Sequence, residues 1–305
     1  FGLARGYERH ARYGYHAGAG VDMALESLQR IGAQPFVLFV QFVDPHAPYA
    51  TPRDFGYAWA KRPFEETALT ERRQRRLGPP DTDAEQVEMG DHYDETVRYS
   101  DAQVGRLLDA MDDAGQLDNT LVVIHSDHGE EFWEHGSYGH GHSVHAEVAR
   151  VPLIMRWEGR LPAGAVVEGT VGVHTLMPWV LEQFGVDPSG GREMADVLEG
   201  GVDGAAVTAG TLFNPPRTAF TTGSWRLLEE AGGGAPLLFD TATDPLETRD
   251  LAGERAEVAA SLRLRRNRIL ADRATQAGVA GQGATVTDED IAAELEALGY
   301  VDEED

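Results

Sequence analysis

The chain has 305 residues, enough to bury a sizeable core as one large α/β domain or one domain with a smaller appendage. It carries 51 acidic against 26 basic residues, a net charge of −25, and such a field disfavours nucleic acid and anionic membranes as partners. Cysteine is absent, which excludes a disulfide framework, a thiolate metal site and a cysteine nucleophile within these residues. No apolar run approaches the roughly 18 residues of a membrane span. Lys61 is the only lysine, a bias that a protein working in high salt and a GC-rich genome explain equally. A soluble protein is expected, with the cytoplasm slightly favoured. A secretory signal cannot be read from a chain that begins at Phe1 within a Gly/Tyr/His-rich stretch.

Residues 1–30 read as a connection leading into a helix, with Val21, Leu25 and Leu28 at helical spacing. Residues 35–43 (PFVLFVQFV) form a near-continuous apolar run, expected to be a buried strand. It ends in Asp44-Pro45-His46-Ala47-Pro48-Tyr49, a loop stiffened by proline that presents one histidine. Residues 51–90 are polar and weakly periodic, and read as a surface excursion over the site. Tyr93, Val97, Val104, Leu108 and Met111 then make one apolar helical stripe. The turn Ala114-Gly115 leads into the apolar run Leu121-Val122-Val123-Ile124. Residues 151–155 are a further strand, and 176–184 a helix ended by Gly185. Glycine-rich punctuation from 189 to 210 marks a boundary. Beyond it, short strands are expected near 218–228 and 236–239, a turn at Asp244-Pro245 and a helix from Glu257 to about Ala274. The acidic tail 286–305 carries a short amphipathic segment, 291–298. No internal repeat is present.

The chemistry concentrates behind the run at 121–124, which stops abruptly at Ser126-Asp127-His128-Gly129. Such an ending reads as a buried parallel strand whose C-terminal end delivers ligands into a crevice. Six of the eleven histidines fall between His125 and His145, which points to a metal-dependent hydrolytic site. Asp127 and His128 form an oxygen-plus-nitrogen ligand pair, leaning away from pure calcium toward Mn, Zn or Mg. The bland alternative is a strand-end Asp capping the next helix beside a solvated His128. His46 follows the other apolar run and can reach the same sheet edge, either to donate a proton to a leaving group or to bond an oxyanion. In Gly139-His140-Gly141-His142 the glycines let backbone approach a ligand. His140 and His142 could bind an anion or serve as ligands, or form a flexible loop. His145 and Glu147 are assigned to the following helix, and Glu130/Glu131 to a solvated helix start, where acids favour the dipole.

Taken together, VLFVQFVDPHAPY and YDETVRYSDAQVGRLLDAMDDAGQLDNTLVVIHSDHGEEFWEHGSYGHGHSVHAEVARVPLIM resemble the sulfatase family of the alkaline-phosphatase superfamily. LLFDTATDPLETRDLA and ELEALGYV extend the resemblance to the C-terminal region. It implies a doubly wound α/β fold with a mostly parallel sheet, here residues 1–200, and a smaller C-terminal α+β subdomain, 201–305. It also implies hydrolysis of sulfate esters, small-molecule or carbohydrate, at a divalent metal (Ca, Mn, Mg or Zn). By position Asp127 and His128 match metal ligands, and His46 matches the histidine touching the transferred group or leaving oxygen. His140 or His142 stands in for a lysine of the family.

The family also carries two consecutive aspartate ligands after its first strand and a C/S-x-P-x-R segment oxidised to formylglycine, the nucleophile. Neither occurs here, so the chain is expected to be the C-terminal two-thirds of a sulfatase and inactive as given. Two other readings compete. A phosphodiester or phosphonate monoester hydrolase of the same fold is favoured by Asp127-His128. A non-catalytic remnant would keep the sheet edge without the nucleophile. The substrate and oligomeric state have no readable code.

Overall fold

A computed structural model describes residues 9–14, 16–64, 82–187, 193–198, 204–212 and 215–280. The chain divides into two compact units, Tyr13–Arg266 and Phe1–Arg12 with Asn267–Asp305. The amphipathic segment expected at 291–298 and the resembling sequence at its end lie outside the described residues.

Helix α1 spans Ala17–Ile31 and buries Ala17, Gly20, Val21, Ala24 and Leu28; of the expected positions Val21 and Leu28 are buried and Leu25 is half-buried. Its N-terminus is held by Asp44, whose Oδ2 accepts the Ala17 N–H at 2.6 Å. A carboxylate there satisfies an orphan donor and complements the helix dipole. Helix α2 spans Asp83–Asp113, starting well before the expected position. The overlooked signal is a capping box: Thr82 Oγ1 accepts from the Glu85 N–H, and the Glu85 carboxylate faces the Thr82 hydroxyl. The buried face of α2 also differs from the predicted stripe. Val97 is 42% exposed, while His92, Glu95, Thr96 and Tyr99 are buried. Gly18 lets the two helices close, because a Cβ there would meet the Tyr99 hydroxyl at 2.7 Å.

Glu95 explains why a charge faces inward. Its carboxylate accepts the backbone N–H groups of Ala58, Trp59 and Ala60 and pairs with Arg98 at 2.9 Å. Burial pushes this carboxyl up, but the donors of Trp59 and Ala58 and the Arg98 guanidinium bring it below its ordinary range. The segment after Pro52 is thereby tied to α2.

Residues 35–43 alternate in burial as a strand would, but they have no assigned ladder. Phe36 and Leu38 pack on Leu28, Met111 and Leu117, whereas Val37 and Phe39 are 81% and 65% exposed. The expected burial on both faces is therefore corrected to burial on one. No strand covers the other face among the described residues.

Strand β1 (Val122–His125) pairs with β4 (Leu153–Arg156) in an antiparallel ladder, Val123 opposite Met155. The expected buried parallel strand is therefore corrected: among the described residues every ladder is antiparallel, and β1, paired along one edge only, is half-buried to exposed rather than sealed on both faces. Between them lie a hairpin of β2 (Glu131–Phe132) and β3 (Tyr138–Gly139), and the single turn of α3 (Ala146–Ala149). Helix α4 (Leu176–Gln183) ends before Gly185, which takes φ +74°, and α5 covers Glu193–Leu198. An antiparallel meander follows, β5 (Ala206–Ala209), β6 (Arg217–Thr222), β7 (Trp225–Glu230) and β8 (Leu237–Asp240) in sequential order. Gly223 at φ +55° turns the single predicted stretch 218–228 into a hairpin. Ala219, Leu228 and Phe239 from the meander close on Val144, from the segment just before α3. Helix α6 begins at Ala256 and runs to Ala280; its Arg263 and Arg266 pair with Glu229 on β7.

Candidate active site

The end of β1 is shaped by a close approach. The Gly129 N–H donates to the Val148 carbonyl at 2.7 Å, and a Cβ on Gly129 would lie 2.1 Å from the Glu147 carbonyl oxygen. Only glycine fits, so the Asp-His-Gly order has a steric cause. The turn leaves the Asp127 side chain 75% exposed, with Oδ1 3.9 Å from His128 Nε2. His128 Nδ1 bonds the Gly129 carbonyl at 2.8 Å. A carbonyl only accepts, so Nδ1 carries the hydrogen and the chemistry of the ring falls to Nε2.

The structure brings three of the predicted histidines together. His140 stacks on His128 at 3.9 Å between ring centroids and meets His46 edge-on at 5.1 Å. His46 Nδ1 bonds the Ala47 carbonyl at 2.7 Å, ahead of the cis Ala47-Pro48 peptide. Gly139 and Gly141, at φ +83° and +81°, turn the chain on either side of His140. His142 is half-buried beyond Gly141.

Glu130 and Glu131 overturn the expectation of a solvated helix start. No helix begins there, and the two residues are 8% and 1% exposed. Glu131 accepts from the Ser137 N–H and the Ser143 hydroxyl. Glu130 bonds His140 Nδ1 and the Tyr49 hydroxyl, both at 2.8 Å. Tyr49 and Glu130 are thus residues of the site that sequence reasoning missed. The β2–β3 hairpin, too short for a periodic signal, is what turns both acids inward.

A second histidine cluster lies apart from the first. His135 and His145 stack at 3.6 Å with a 7° tilt. His135 Nδ1 bonds Glu147, and His145 Nδ1 bonds Glu247, each at 2.7 Å. Glu247 also pairs with the buried Arg226, which donates to the Val144 carbonyl at 2.6 Å. Glu247 sits at φ +53°, a strained position for a side-chain-bearing residue that these contacts over-determine. Donor atoms of His135, His145 and Glu247 lie within 4.8 Å of one another, a zinc-like set. The group is nevertheless already compensated by protein charge: Glu247 is spent on Arg226 and His145, and His135 on Glu147. A cation there would meet a guanidinium.

With this geometry in view, a profile of the Sulfatase family matches residues 5–186. The chain belongs to the sulfatase family. It is 23% identical over 249 residues to a sulfatase of Formosa agariphila, covering 74% of this chain and 48% of that protein. The chain spans about half the length of the curated relatives it matches. Two solved structures share the fold. The phosphonate monoester hydrolase of Silicibacter pomeroyi superposes with a TM-score of 0.63 at 22% identity, over 90% of this chain and 64% of that one. A protein in complex with its substrate D-glucosamine-2-N,6-O-disulfate superposes with a TM-score of 0.53 at 23% identity, over 70% and 46%. These likenesses establish the alkaline-phosphatase-like α/β fold. Among the described residues no helix is long and apolar enough to cross a membrane.

Proposed function

We propose that this chain carries the metal- and substrate-facing half of a sulfuric ester hydrolase, within residues 1–200. The observation that carries the reading is the convergence of His46, His128 and His140, from three separate segments, beside Asp127. Asp127 and His128 would hold a divalent cation. Their donor atoms, 3.9 Å apart, can be bridged by one ion with bonds of roughly 2.0–2.3 Å. The Gly129 carbonyl, accepting from Nδ1, fixes the plane of the ring and leaves Nε2 to face the ion. Such an ion, when bound, would stabilise charge building on the ester oxygens.

The chain's own residues do the rest. His46, with Nδ1 committed to Ala47, would hold a proton at Nε2 for the departing oxygen. His140, in the place of the family lysine, would contact the sulfuryl oxygens, with His142 on the same loop. The formylglycine nucleophile has no candidate Cys or S-x-P-x-R segment in these 305 residues. Carbohydrate sulfates are the favoured substrate class, because a structural neighbour holds a sulfated glucosamine.

A second reading, phosphonate monoester hydrolysis, is favoured by the likeness to the Silicibacter pomeroyi enzyme. The test assays the complete protein encoded by the gene on an aryl sulfate, a sulfated glucosamine and an aryl phosphonate monoester. Sulfate turnover that Asp127→Asn and His128→Ala abolish supports the first reading. Phosphonate turnover in large excess replaces it with the second, and turnover of none of them removes both.

A further inference from the structure

Glu130 is a carboxylate that the proposed chemistry does not use, yet its side chain is only 4% exposed. Its two oxygens have different partners: Oε1 lies 2.8 Å from His140 Nδ1, and Oε2 accepts the Tyr49 hydroxyl at 2.8 Å. A carboxylate is an acceptor only, so the His140 nitrogen facing it carries the hydrogen. His46 and His128 reach the same assignment through the carbonyls of Ala47 and Gly129. His140 has a charged, buried partner in Glu130, and a charge-assisted bond is stronger and more directional than a neutral one.

We infer that Glu130, locked by Tyr49, is a positioning residue that fixes the tautomer and plane of His140, so that Nε2 addresses the substrate. The inference rests on the proposed function for its substrate but on geometry for the tautomer. Tyr49 is suited to the lock. It is fully buried, ringed by Phe64, Tyr93, Phe132 and Tyr138 at 5.6–6.4 Å between centroids. Burial, then Tyr138 and Glu130, push its phenol well above the ordinary value, so it remains a donor. Without that hydroxyl one Glu130 oxygen would be buried and unpaired, and the carboxylate would be free to rotate off His140. Gly139 supports the arrangement from the other side, since its positive φ aims the chain so that His140 turns back over Glu130.

The test has two arms. Long-range 1H–15N spectra of histidine-labelled protein report which nitrogen of each ring is protonated. In the wild type His140 should carry its hydrogen on Nδ1. Glu130→Leu should mix or invert the tautomers, and Glu130→Gln, which keeps a neutral acceptor, should retain the wild-type pattern. An unchanged His140 signal in Glu130→Leu would overturn the inference.

The second arm measures turnover by the complete protein. Glu130→Leu should lower kcat by about 10–100-fold, as loss of an orienting partner does, with KM nearly constant, and Glu130→Gln should recover most of it. Tyr49→Phe, which leaves Glu130 in place, should cost about fivefold, the worth of a single hydrogen bond. Equal kcat in Glu130→Leu and wild type would also overturn it. A wild-type protein inactive on every ester sinks the proposed function instead, and the tautomer arm still decides the role of Glu130.

Discussion

Two histidine clusters come from one short stretch of sequence, and the tertiary structure gives them opposite surroundings. In the first, His128 and His140 stack beside His46, and Asp127 projects into solvent. In the second, His135 and His145 stack just as closely, but Glu147, Glu247 and Arg226 enclose them. Both clusters hold histidines and carboxylates, so composition does not separate them. The difference is where the compensating charge comes from. The closed cluster finds all of it within the protein and becomes a structural joint between the segment before α3 and the turn after β8. The open cluster keeps the Asp127 carboxylate in solvent, as the proposed ligand site requires.

The contrast is broken most directly at Arg226. Arg226→Ala leaves the buried Glu247 without its guanidinium partner and should cost about 3–5 kcal/mol in denaturant unfolding. A loss below about 1 kcal/mol would mean the closed cluster is not structural. Gly129→Ala comes next, because its methyl group would collide with the Glu147 carbonyl backbone. About 1–3 kcal/mol is expected for such overpacking, together with a weaker response to divalent metal as Asp127 and His128 shift.

Acid and base probe the same joint. Burial pushes Glu247 up, but His145 and Arg226 more than reverse this and hold its carboxyl below the ordinary 4.5. Its stabilisation is complete above 4.5 and is lost as pH falls through the depressed value. Burial pushes His135 down, but Glu147 more than reverses it, and the ring lies above the ordinary 6.5. That contribution is complete below 6.5 and is lost as pH rises through the raised value. The joint therefore holds best between the two ordinary values. Unfolding curves across pH should show both limbs, and His135→Asn should flatten the alkaline one. An unaltered alkaline limb would remove His135 from the account.

The open cluster should behave the other way. His46→Ala should change stability by less than about 1 kcal/mol, and His140→Ala, which leaves one oxygen of the buried Glu130 unpaired, should cost about 1–3 kcal/mol, while each abolishes most turnover of the complete protein. The smallest signal expected is metal binding by the 305 residues alone. With Asp127 and His128 as the only assigned donors, calorimetric titration with Mn or Ca should give a Kd weaker than about 1 μM. Tighter binding would show that further ligands lie within this chain.

Much of this organisation was legible along the chain. Val21 and Leu28 marked the buried face of α1, the apolar run before Asp127-His128 marked β1, and Gly185 marked the end of α4. Periodicity reports these because burial against one neighbour repeats at the pitch of the element itself. The start of α2 was also encoded, in Thr82 and Glu85, as a local capping pattern rather than a periodic one. What could not be read was which side of a residue would be covered. Residues 35–43 show the apolar content of a doubly buried strand, yet Val37 and Phe39 face outward because no strand pairs over them among the described residues.

The site divides along the same line. The sequence by itself singled out the candidates: Asp127, His128, His46 and the glycine-flanked His140 and His142, each placed at the end of an apolar run or in a loop by local rules. Only the tertiary structure decided that His140 meets His46 and His128, and that Glu130 turns inward to hold it with Tyr49, 81 residues away. It also decided that His135 and His145 are sealed by Glu247 and Arg226, far along the chain. The physical reason is range. Turn chemistry and periodicity act over a few residues, whereas the pairing of a buried charge depends on segments brought together only when the core closes.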